Sequence, residues 1–522
     1  MNREENLKQL RDKSKIWDIA VIGGGSSGLG VALDAISRGL SVVFLEKADF
    51  SKGTSSRSTK LVHGGVRYLA QGDIALVLEA LKERGMLLKN APHLSQNQPF
   101  IIPIYTWWDR IQYSAGLKIY DWMAGKLRLG KSRFISKSET VKRLPAVLQK
   151  GLKGGVVYHD GQFDDARLAL NIAQTADELG ACILNYMKVS GLVKNDSGKI
   201  SGLKVIDEQS KEKLEIQTKM VVNATGVFAD KILQMDNPEA PKTIQPSQGI
   251  HLVMDLEFLG GKDALMIPKT RDGRVLFAVP WHDKLVVGTT DTLREKAKLE
   301  PEALQKEIDF VLETASGYLT KKPSRADVKA VFAGLRPLAR PKEGSTKTKE
   351  ISRSHKVIVS ASGLVTLTGG KWTTYRKMGE DTVDYFTQIT RQTLNPSKSL
   401  NQKIHGFTTE IPSGHWSIYG SDAAKIQQLA KENPEWSEPI HPAFPNILAE
   451  VVWSCQNEMA VKVEDVLSRR IRMLILDAQA ALDSAEKVAQ TMAVSLQKDQ
   501  AWIDSELVDF KKTAEKYLIK ST

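Results

Sequence analysis

Cysteine is nearly absent from this chain of 522 residues, which contains only Cys182 and Cys455. The two cysteines are far apart and lie outside any CxxC pair, so the sequence predicts neither a disulfide framework nor a thiolate metal site. Thiols used this sparingly are typical of proteins that work in a reducing compartment. We therefore expect no metal centre and no structural disulfide.

Long apolar runs are also missing. No stretch approaches the roughly 20 apolar residues that a membrane-spanning helix needs. The first residues contain no apolar segment of the kind found in signal peptides, and Glu4, Glu5 and Asp12 argue against a transit peptide. With 42% hydrophobic and 26% charged residues the composition is that of an ordinary globular protein. The length predicts two or three domains.

Positive charge exceeds negative charge, and the formal net charge is +12. No nucleic-acid recognition motif accompanies this charge, so we expect no nucleic acid as partner. A phosphorylated substrate and an anionic membrane surface both fit it. Composition alone leaves these two partners open.

A glycine-rich turn follows the first apolar run, residues 17–22, and has the spacing Gly23-x-Gly25-x-x-Gly28. The first glycine permits a tight turn, the second lets the backbone approach a pyrophosphate, and the third lets helix and strand pack closely. Glu46 ends the next apolar run, 18 residues beyond Gly28, where an acid binds ribose hydroxyls. The pattern predicts a dinucleotide-binding unit, although a glycine turn without a ligand is the alternative, and it does not distinguish NAD from FAD.

Residues 54–68 are rich in small hydroxyl side chains and contain paired glycines, a composition that lets a backbone lie flat against a planar ring. Alone, such a segment is more often a solvent loop. The core Ser-x-Lys-Leu-x-His-Gly-Gly-x-Arg-Tyr, residues 58–68, resembles the flavin-contacting segment of FAD-dependent glycerol-3-phosphate dehydrogenases. The resemblance continues along the chain, in APHL 91–94, DDAR 164–167, NATG 223–226, PW 280–281, GTTD 288–291, GLRPL 334–338, GGKWTTYR 369–376 and DVLSRR 465–470.

The resemblance implies FAD as cofactor. The residues that it assigns to cofactor binding are Gly23, Gly25, Ser26, Ser27, Gly28, Glu46, Lys47, Thr54, Ser55, Ser56, Lys60, Leu61, His63, Gly64, Gly65, Ala224, Gly226, Gly369, Gly370, Lys371, Trp372 and Thr373.

It also implies oxidation of sn-glycerol 3-phosphate to dihydroxyacetone phosphate, with the electrons passing to a membrane quinone. A phosphate dianion is bound by fixed cations, and each charge-assisted contact contributes about 1.5–3 kcal/mol. A single arginine is more often a solvated surface charge. Matched to the family pattern, however, Arg336, Arg353 and Lys371 become the predicted phosphate clamp, with Arg67 and Tyr68 as further substrate contacts.

The reaction also needs a base for the proton of the C2 hydroxyl, and a neutral imidazole suits this role. A lone histidine is more often structural. His251 matches a family position near the substrate, and we favour it over His63, which lies in the flavin segment and can instead anchor the cofactor. Arg336 is included among the catalytic candidates.

A stripe of apolar and aromatic residues runs along a predicted helix that begins at Trp107: Trp108, Ile111, Ala115, Ile119 and Trp122 recur every three or four positions. Between residues 110 and 143 there are nine Lys and Arg but only two acids. Two interpretations are equal: an interfacial helix on anionic lipid, or packing on a second domain. We expect a homodimer, peripheral on the cytoplasmic face of the membrane.

The expected fold class is α/β, with a Rossmann-like FAD-binding domain, an inserted antiparallel substrate domain and a helical C-terminal domain. The predicted FAD-binding parts are residues 16–95, 156–244 and 350–395, the substrate parts are 96–155 and 245–349, and the helical domain is 405–522. Three alternatives remain: a glycerol-3-phosphate oxidase that uses oxygen, an RNA-binding flavoprotein, and an amine or amino-acid oxidase of the same fold.

Overall fold

The computed structural model describes residues 1–69, 72–340 and 354–519, with only the backbone of Arg67 and Tyr68. The strands are Ile16–Ile22 (β1), Val42–Leu45 (β2), Leu61–Val62 (β3), Ser95–Ile104 (β4), Arg133–Ser136 (β5), Gly154–Phe163 (β6), Cys182–Leu184 (β7), Met187–Lys194 (β8), Ile200–Asp207 (β9), Lys213–Asn223 (β10), Ile244–Asp255 (β11), Ala264–Ile267 (β12), Leu276–Trp281 (β13), Lys284–Gly288 (β14), Thr292–Leu293 (β15), Val328–Ala339 (β16), Lys356–Val359 (β17) and Val365–Thr368 (β18).

The α-helices are Arg3–Arg11 (α1), Ser26–Ser37 (α2), Val66–Leu69 (α3), Ile74–Asn90 (α4), Trp107–Ala124 (α5), Lys137–Arg143 (α6), Asp165–Glu178 (α7), Ala229–Asp236 (α8), Gln305–Ser316 (α9), Tyr375–Val383 (α10), Tyr385–Thr390 (α11), Ala423–Glu432 (α12), Leu448–Asn457 (α13), Met473–Leu476 (α14), Ala478–Leu496 (α15) and Gln500–Ala514 (α16). Among the described residues, no helix is both long and apolar enough to cross a bilayer.

The first sheet has the strand order β17-β18-β10-β1-β2-β7, and its central strands are parallel. Ile19 and Val21 of β1 pack into a core with α2 and α7, whereas Ala20 and Ile22 pack into another with α1. Because both faces are covered, the strand has a continuous apolar sequence rather than an alternating one. The predicted Rossmann-like unit is confirmed.

The parallel register brings the carboxyl ends of four strands to one edge of this sheet. Ile22 pairs with both Leu45 and Asn223, and Asn223 pairs with Thr366. Ligands bind beyond the carboxyl ends of the strands in such sheets. The turns that follow β1, β2, β10 and β18 therefore meet at one place.

The second sheet is mostly antiparallel and has the order β15-β11-β14-β13-β12-β4-β6-β3, with β16 paired to β11 and β5 to β6. The pair β13–β14 is antiparallel, since Phe277 lies opposite Gly288 and Trp281 opposite Lys284. The predicted domain boundary between residues 155 and 156 falls inside β6, and β3 belongs to this sheet rather than to the first. The segment that carries the flavin motif thus crosses from one sheet to the other.

Helices α13 to α16 form a layer whose apolar core includes Val253 of β11 and Phe332 of β16, whereas α12 packs into the core of the first sheet. This helical domain therefore covers the second sheet. Between α13 and α14, Asp465–Arg470 form a turn of π-helix whose side chains are buried. Buried Arg469, Arg470 and Arg472 extend from this region toward the first part of the chain.

Candidate active site

A cavity of about 590 Å³ lies at the carboxyl edge of the first sheet. The three glycine turns, represented by Gly23, Gly226 and Gly369, all line it, although they are far apart in sequence. Residues of β11 and β16 complete the wall, so the two sheets share the cavity. A dinucleotide is the kind of ligand that such a strand edge binds.

The glycine turn after β1 lets the protein backbone approach a cofactor closely. Gly23 has φ +115°, and a Cβ there would lie 2.6 Å from the carbonyl oxygen of Ala224. A Cβ on Gly28 would lie 2.0 Å from the carbonyl oxygen of Gly23, and one on Gly25 would lie 3.0 Å from Ser55 Oγ. Gly23 and Gly28 therefore require glycine, and the open turn leaves the N-terminus of α2 exposed to a pyrophosphate.

Glu46 is fixed at the end of β2. Its carboxylate accepts hydrogen bonds from the backbone N–H groups of Gly24 (2.5 Å) and Ala48 (2.8 Å). Burial raises the pKa of this carboxyl, and the two backbone donors oppose the shift. The orientation suits an acceptor of ribose hydroxyl hydrogen bonds, as the sequence predicts.

The hydroxyl-rich segment is held from two sides. Thr54 Oγ1 donates to the Leu335 carbonyl (2.5 Å), and the indole N–H of Trp372 donates to the Ser55 carbonyl (2.8 Å). Thr373 Oγ1 donates to the His63 carbonyl at 3.4 Å. Pieces from β16 and from the turn before α10 thus fix the segment against the cavity.

Most of the predicted cofactor residues line this cavity: Gly23, Gly25, Ser26, Ser27, Glu46, Lys47, Thr54, Ser55, Leu61, His63, Ala224, Gly226, Gly369, Gly370, Lys371, Trp372 and Thr373. Lys60 is different, because its ammonium group is fully buried behind the segment between Asp165 (2.8 Å) and the Ser56 carbonyl (2.8 Å). Gly64 packs against Leu81 and Tyr120, and Gly65 lines a neighbouring cavity. Lys60, Ser56, Gly64 and Gly28 therefore shape the site from outside.

His251 lies on β11 and forms part of the cavity wall. Its Nε2 is 2.9 Å from Thr59 Oγ1, and its ring stacks on Phe332 with centroids 4.9 Å apart. Burial, together with the positive charges of Lys60 and Arg336, holds the pKa of His251 well below its usual value. The imidazole is therefore neutral near physiological pH.

Arg336 lies on the adjacent strand β16, four residue pairs along the ladder from His251. Its guanidinium donates to the Thr290 carbonyl (3.0 Å) and Thr289 Oγ1 (3.3 Å). The side chain crosses Gly249, where a Cβ would lie 2.5 Å from Nη2. A glycine on β11 is thus what allows the guanidinium to reach the cavity.

A second cavity of about 200 Å³ shares Thr59, Leu61, His63 and Arg336 with the first. Its wall is mostly aromatic and apolar, and it adds the charged side chains of Asp160, Arg274 and Asp291. A small substrate placed where the cavities meet would lie against Arg336 and His63, which line both. Arg67 and Tyr68 are described only as backbone beside this cavity, and Arg353 lies outside the described residues.

Sequence reasoning missed Thr59, Arg274 and Asp291. Thr59 lies inside the hydroxyl-rich motif and Asp291 ends the GTTD motif, so the motifs that contain them could have identified both residues. Arg274 lies in no motif that the resemblance singled out. Within residues 1–69, 72–340 and 354–519, no group of three or more His, Cys, Asp or Glu side chains is arranged to hold a metal ion.

Comparison with known proteins agrees with this geometry. Residues 18–376 match the family model described as FAD dependent oxidoreductase, and residues 364–502 match the C-terminal domain of alpha-glycerophosphate oxidase. The mitochondrial glycerol-3-phosphate dehydrogenases of Homo sapiens and Bos taurus are each 38% identical, over 99% of this chain and 75% of the relative. That of Arabidopsis thaliana is 37% identical, over 96% of this chain and 86% of its own length.

Solved structures show the same fold. The glycerol-3-phosphate dehydrogenase from Bacillus halodurans, complexed with FAD, has a TM-score of 0.81 and 28% identity, and covers 100% of this chain and 99% of its own. The L-alpha-glycerophosphate oxidase from Mycoplasma pneumoniae has a TM-score of 0.57 and 17% identity, which shows the fold alone; 74% of this chain and 98% of that chain are covered. The chain therefore belongs to the family of FAD-dependent glycerol-3-phosphate dehydrogenases, and FAD is its cofactor.

Proposed function

We propose that this protein oxidises sn-glycerol 3-phosphate to dihydroxyacetone phosphate and passes the electrons to a membrane quinone. The observation that carries the proposal is the position of Arg336 and His251. They lie on neighbouring strands; both line the cofactor cavity, and Arg336 also lines the second cavity. A cation and a neutral base so placed match a small phosphorylated alcohol.

Arg336 binds the phosphate end of this substrate. Its planar donors remain charged at all relevant pH values and suit phosphate oxygens. Lys371, which also lines the cofactor cavity, is the second cation of the clamp. The side chain of Arg336 is 28% exposed, so a substrate can reach it without unfolding the site.

His251 takes the proton of the C2 hydroxyl at Nε2, beside the Thr59 hydroxyl that orients the ring. FAD, when bound, supplies the oxidising chemistry as acceptor of the hydride from C2. His63 lines both cavities and is the second candidate for the base. Thr59, which also lines both, connects the substrate position to His251.

The test is anaerobic mixing of the yellow holoenzyme with sn-glycerol 3-phosphate. The flavin absorbance should bleach with this substrate and stay unchanged with glycerol, which lacks the phosphate that Arg336 binds. Bleaching by glycerol alone, or none with either compound, would refute the proposed substrate. A short-chain quinone should restore the colour.

Oxygen is the second candidate acceptor, because residues 364–502 match a domain described from an oxidase. Readmission of air to the bleached protein decides between them. Rapid release of hydrogen peroxide at the rate of turnover would favour an oxidase, whereas slow reoxidation by air and fast reoxidation by quinone support the dehydrogenase.

We further propose that the protein is peripheral on the cytoplasmic face of the membrane and binds it through α5. Trp108 and Trp122 are 80% and 81% exposed, and Ile111 and Ile119 are also exposed. The helix instead buries Leu117 and Tyr120, so the apolar stripe does not pack on the second domain. Exposed tryptophans among basic residues suit the surface of an anionic bilayer.

A further inference from the structure

The buried arginines after α13 bind acidic groups that surround the hydroxyl-rich segment. Arg469 and Arg470 each reach Asp49 at 2.6 Å, and Arg472 reaches Asp165 at 2.7 Å. These side chains are at most 1% exposed. Burying ions is unfavourable unless each is paired, and such groups are often kept because they specify one conformation. The contacts of Arg472 indicate which conformation it specifies.

Asp165 collects donors from the turn Ser56–Lys60. Its Oδ2 accepts from the backbone N–H of Ser58 (3.0 Å), from Ser58 Oγ (2.7 Å) and from Lys60 Nζ (2.8 Å). Its Oδ1 accepts from Arg472 Nη2. The Ser56 carbonyl in turn accepts from Lys60 Nζ (2.8 Å) and Arg472 Nη2 (3.3 Å). Ser56, Ser58 and Lys60 are thus all tied to the same buried ion group.

Thr59 is the residue of this turn that faces the other way. Lys60 has φ +64°, which closes the turn, and Thr59 Oγ1 then lies 2.9 Å from His251 Nε2. Thr59 contacts both cavities, whereas Lys60 and Asp165 are fully buried. The position of the hydroxyl is therefore set by contacts on the opposite side of the turn.

We propose that Arg472 is a positioning residue for the oxidation: through Asp165 it fixes the Ser56–Lys60 turn, and this turn fixes Thr59 against His251. The inference rests on the proposed function, in which His251 takes the substrate proton. It gives the buried arginine region of the helical domain a role in the reaction, although Arg472 itself touches neither cavity.

The charges near His251 agree with this arrangement. The ring is faced by Thr59 and Lys60 from the turn, by Phe332 and Arg336 from β16, and by Gly288 from β14. Burial and the charge of Arg472 lower the pKa of Lys60, which Asp165 opposes, to about 8. Loss of Arg472 therefore changes the geometry of Thr59, while Arg336 of the phosphate clamp stays in place on β16.

The test compares Arg472→Met, Thr59→Val and the double variant in the FAD-loaded enzyme. Each single variant should lower kcat by about 10-fold or more and change KM by less than about threefold, because the lost interaction serves the proton-transfer step. The double variant should be no slower than Thr59→Val alone, since both changes act through the same hydroxyl. Losses that multiply in the double variant would overturn the proposal.

Arg470→Met is the matched control. It removes another buried arginine of the same region, one that binds Asp49 and the Glu458 carbonyl but not Asp165 or Ser56. It should cost stability without the selective fall in kcat. If it lowers kcat as Arg472→Met does, the effect is general loosening and the proposal fails. Should Arg472→Met not fold, Arg472→Lys replaces it in the same cycle.

A second readout needs no substrate. In protein labelled with ¹⁵N-histidine, the His251 signals are assigned by their loss in His251→Gln. The Nε2 shift should move in the same direction in Thr59→Val and in the Arg472 variant, and should stay in place in Arg470→Met. An unmoved signal in the Arg472 variant overturns the inference. Flavin that is not bleached by glycerol 3-phosphate refutes the proposed function instead.

Discussion

Arg336 is the residue on which the substrate assignment depends, since it reaches both cavities from β16. Its guanidinium is held by the Thr290 carbonyl and by Thr289. Asp291 also lies 3.8 Å from it, and a planar, permanently charged guanidinium suits phosphate oxygens. Phosphate binding should therefore depend on this side chain more than FAD binding does.

Arg336→Ala and Lys371→Ala should each raise KM for glycerol 3-phosphate by roughly 10–150-fold, because one charge-assisted contact of about 1.5–3 kcal/mol is lost. Flavin content, measured by absorbance, should change far less than KM. Arg271→Ala is the control, since Arg271 is 84% exposed and paired with Glu313 on the surface. An unchanged KM in both test variants would remove them from the clamp.

The motifs predict most of the residues that line the site, but they do not predict the direction in which each side chain points. Lys60 lies in the motif next to Thr59, yet it turns away from the cavity because Asp165, 105 positions later, binds it. Thr59 meets a histidine 192 positions away. A motif lists neighbours in sequence, whereas these orientations are decided by partners from other strands and helices.

The pairing of β11 with β16 sets the spacing between the proposed base and the proposed clamp. Ser247 lies opposite Arg336, Gly249 opposite Gly334 and His251 opposite Phe332. Alternate residues of a strand share a face, so these side chains all face the hydroxyl-rich segment. The glycine pair leaves room between them for Arg57 on one side and the Arg336 guanidinium on the other.

Gly249→Ala should displace Arg336, because the added Cβ would lie 2.5 Å from Nη2 and 2.6 Å from Thr289 Oγ1. Overpacking of about 1–3 kcal/mol at the binding position corresponds to a rise in KM of roughly 5–150-fold. Gly317→Ala serves as the control, since its Cβ would come no closer than 3.4 Å to any atom. Steady-state kinetics of the two variants side by side decide the point, and equal KM values would contradict it.

His405 joins the end of α7 to the helical domain. Its Nδ1 is 2.5 Å from Glu178 and its Nε2 is 2.6 Å from Asp422. Burial opposes the charged ring, but the two carboxylates prevail and raise the pKa of His405 to about 9. A raised pKa stabilises the folded state fully below the unfolded value of about 6.5, and this stabilisation is lost as pH rises through about 9.

His405→Gln should therefore lower the free energy of unfolding by roughly 1–2 kcal/mol near pH 6, a value reduced for the exposure of Glu178. Near about pH 10 the variant and the natural protein should be equally stable, because the imidazole is then neutral in both states. Urea unfolding at the two pH values gives the difference. A gap that persists at high pH would mean that packing, not charge, is responsible. The control is His441→Gln. Among its described hydrogen bonds, His441 only accepts one from the backbone N–H of Ala443.

At the scale of the whole molecule, the α/β class, the antiparallel insert and the helical end followed from periodicity and glycine turns. The exact division did not, since β6 runs through a predicted boundary and β3 pairs with it. Sheet membership depends on pairing between distant segments, which periodicity does not report. For α5 the two interpretations are equal from sequence; in the structure the apolar stripe is exposed and the opposite face is buried, and membrane binding stays a prediction.

The combined change Trp108→Ser, Trp122→Ser and Lys118→Glu should release the protein from anionic vesicles. Each basic residue near such a surface contributes about 1 kcal/mol, and high salt should weaken binding further. The control is Val494→Ser with Val508→Ser, which removes exposed apolar groups from α15 and α16. Co-sedimentation with phosphatidylglycerol vesicles is the measurement. Natural protein that stays in the supernatant would rule out the membrane surface.

The contacts of Arg469, Arg470 and Arg472 with Asp49 and Asp165 also have a consequence for protein synthesis. Asp165 leaves the ribosome 307 residues before Arg472, an interval of about 15–60 s at typical elongation rates of about 5–20 residues per second. Until then, the nascent first sheet holds Asp49 and Asp165 without the guanidinium groups that bind them. The hydroxyl-rich segment can thus reach its final shape only after Arg472 has been synthesised, and stable loading of the flavin should follow that point rather than accompany the growth of the first sheet.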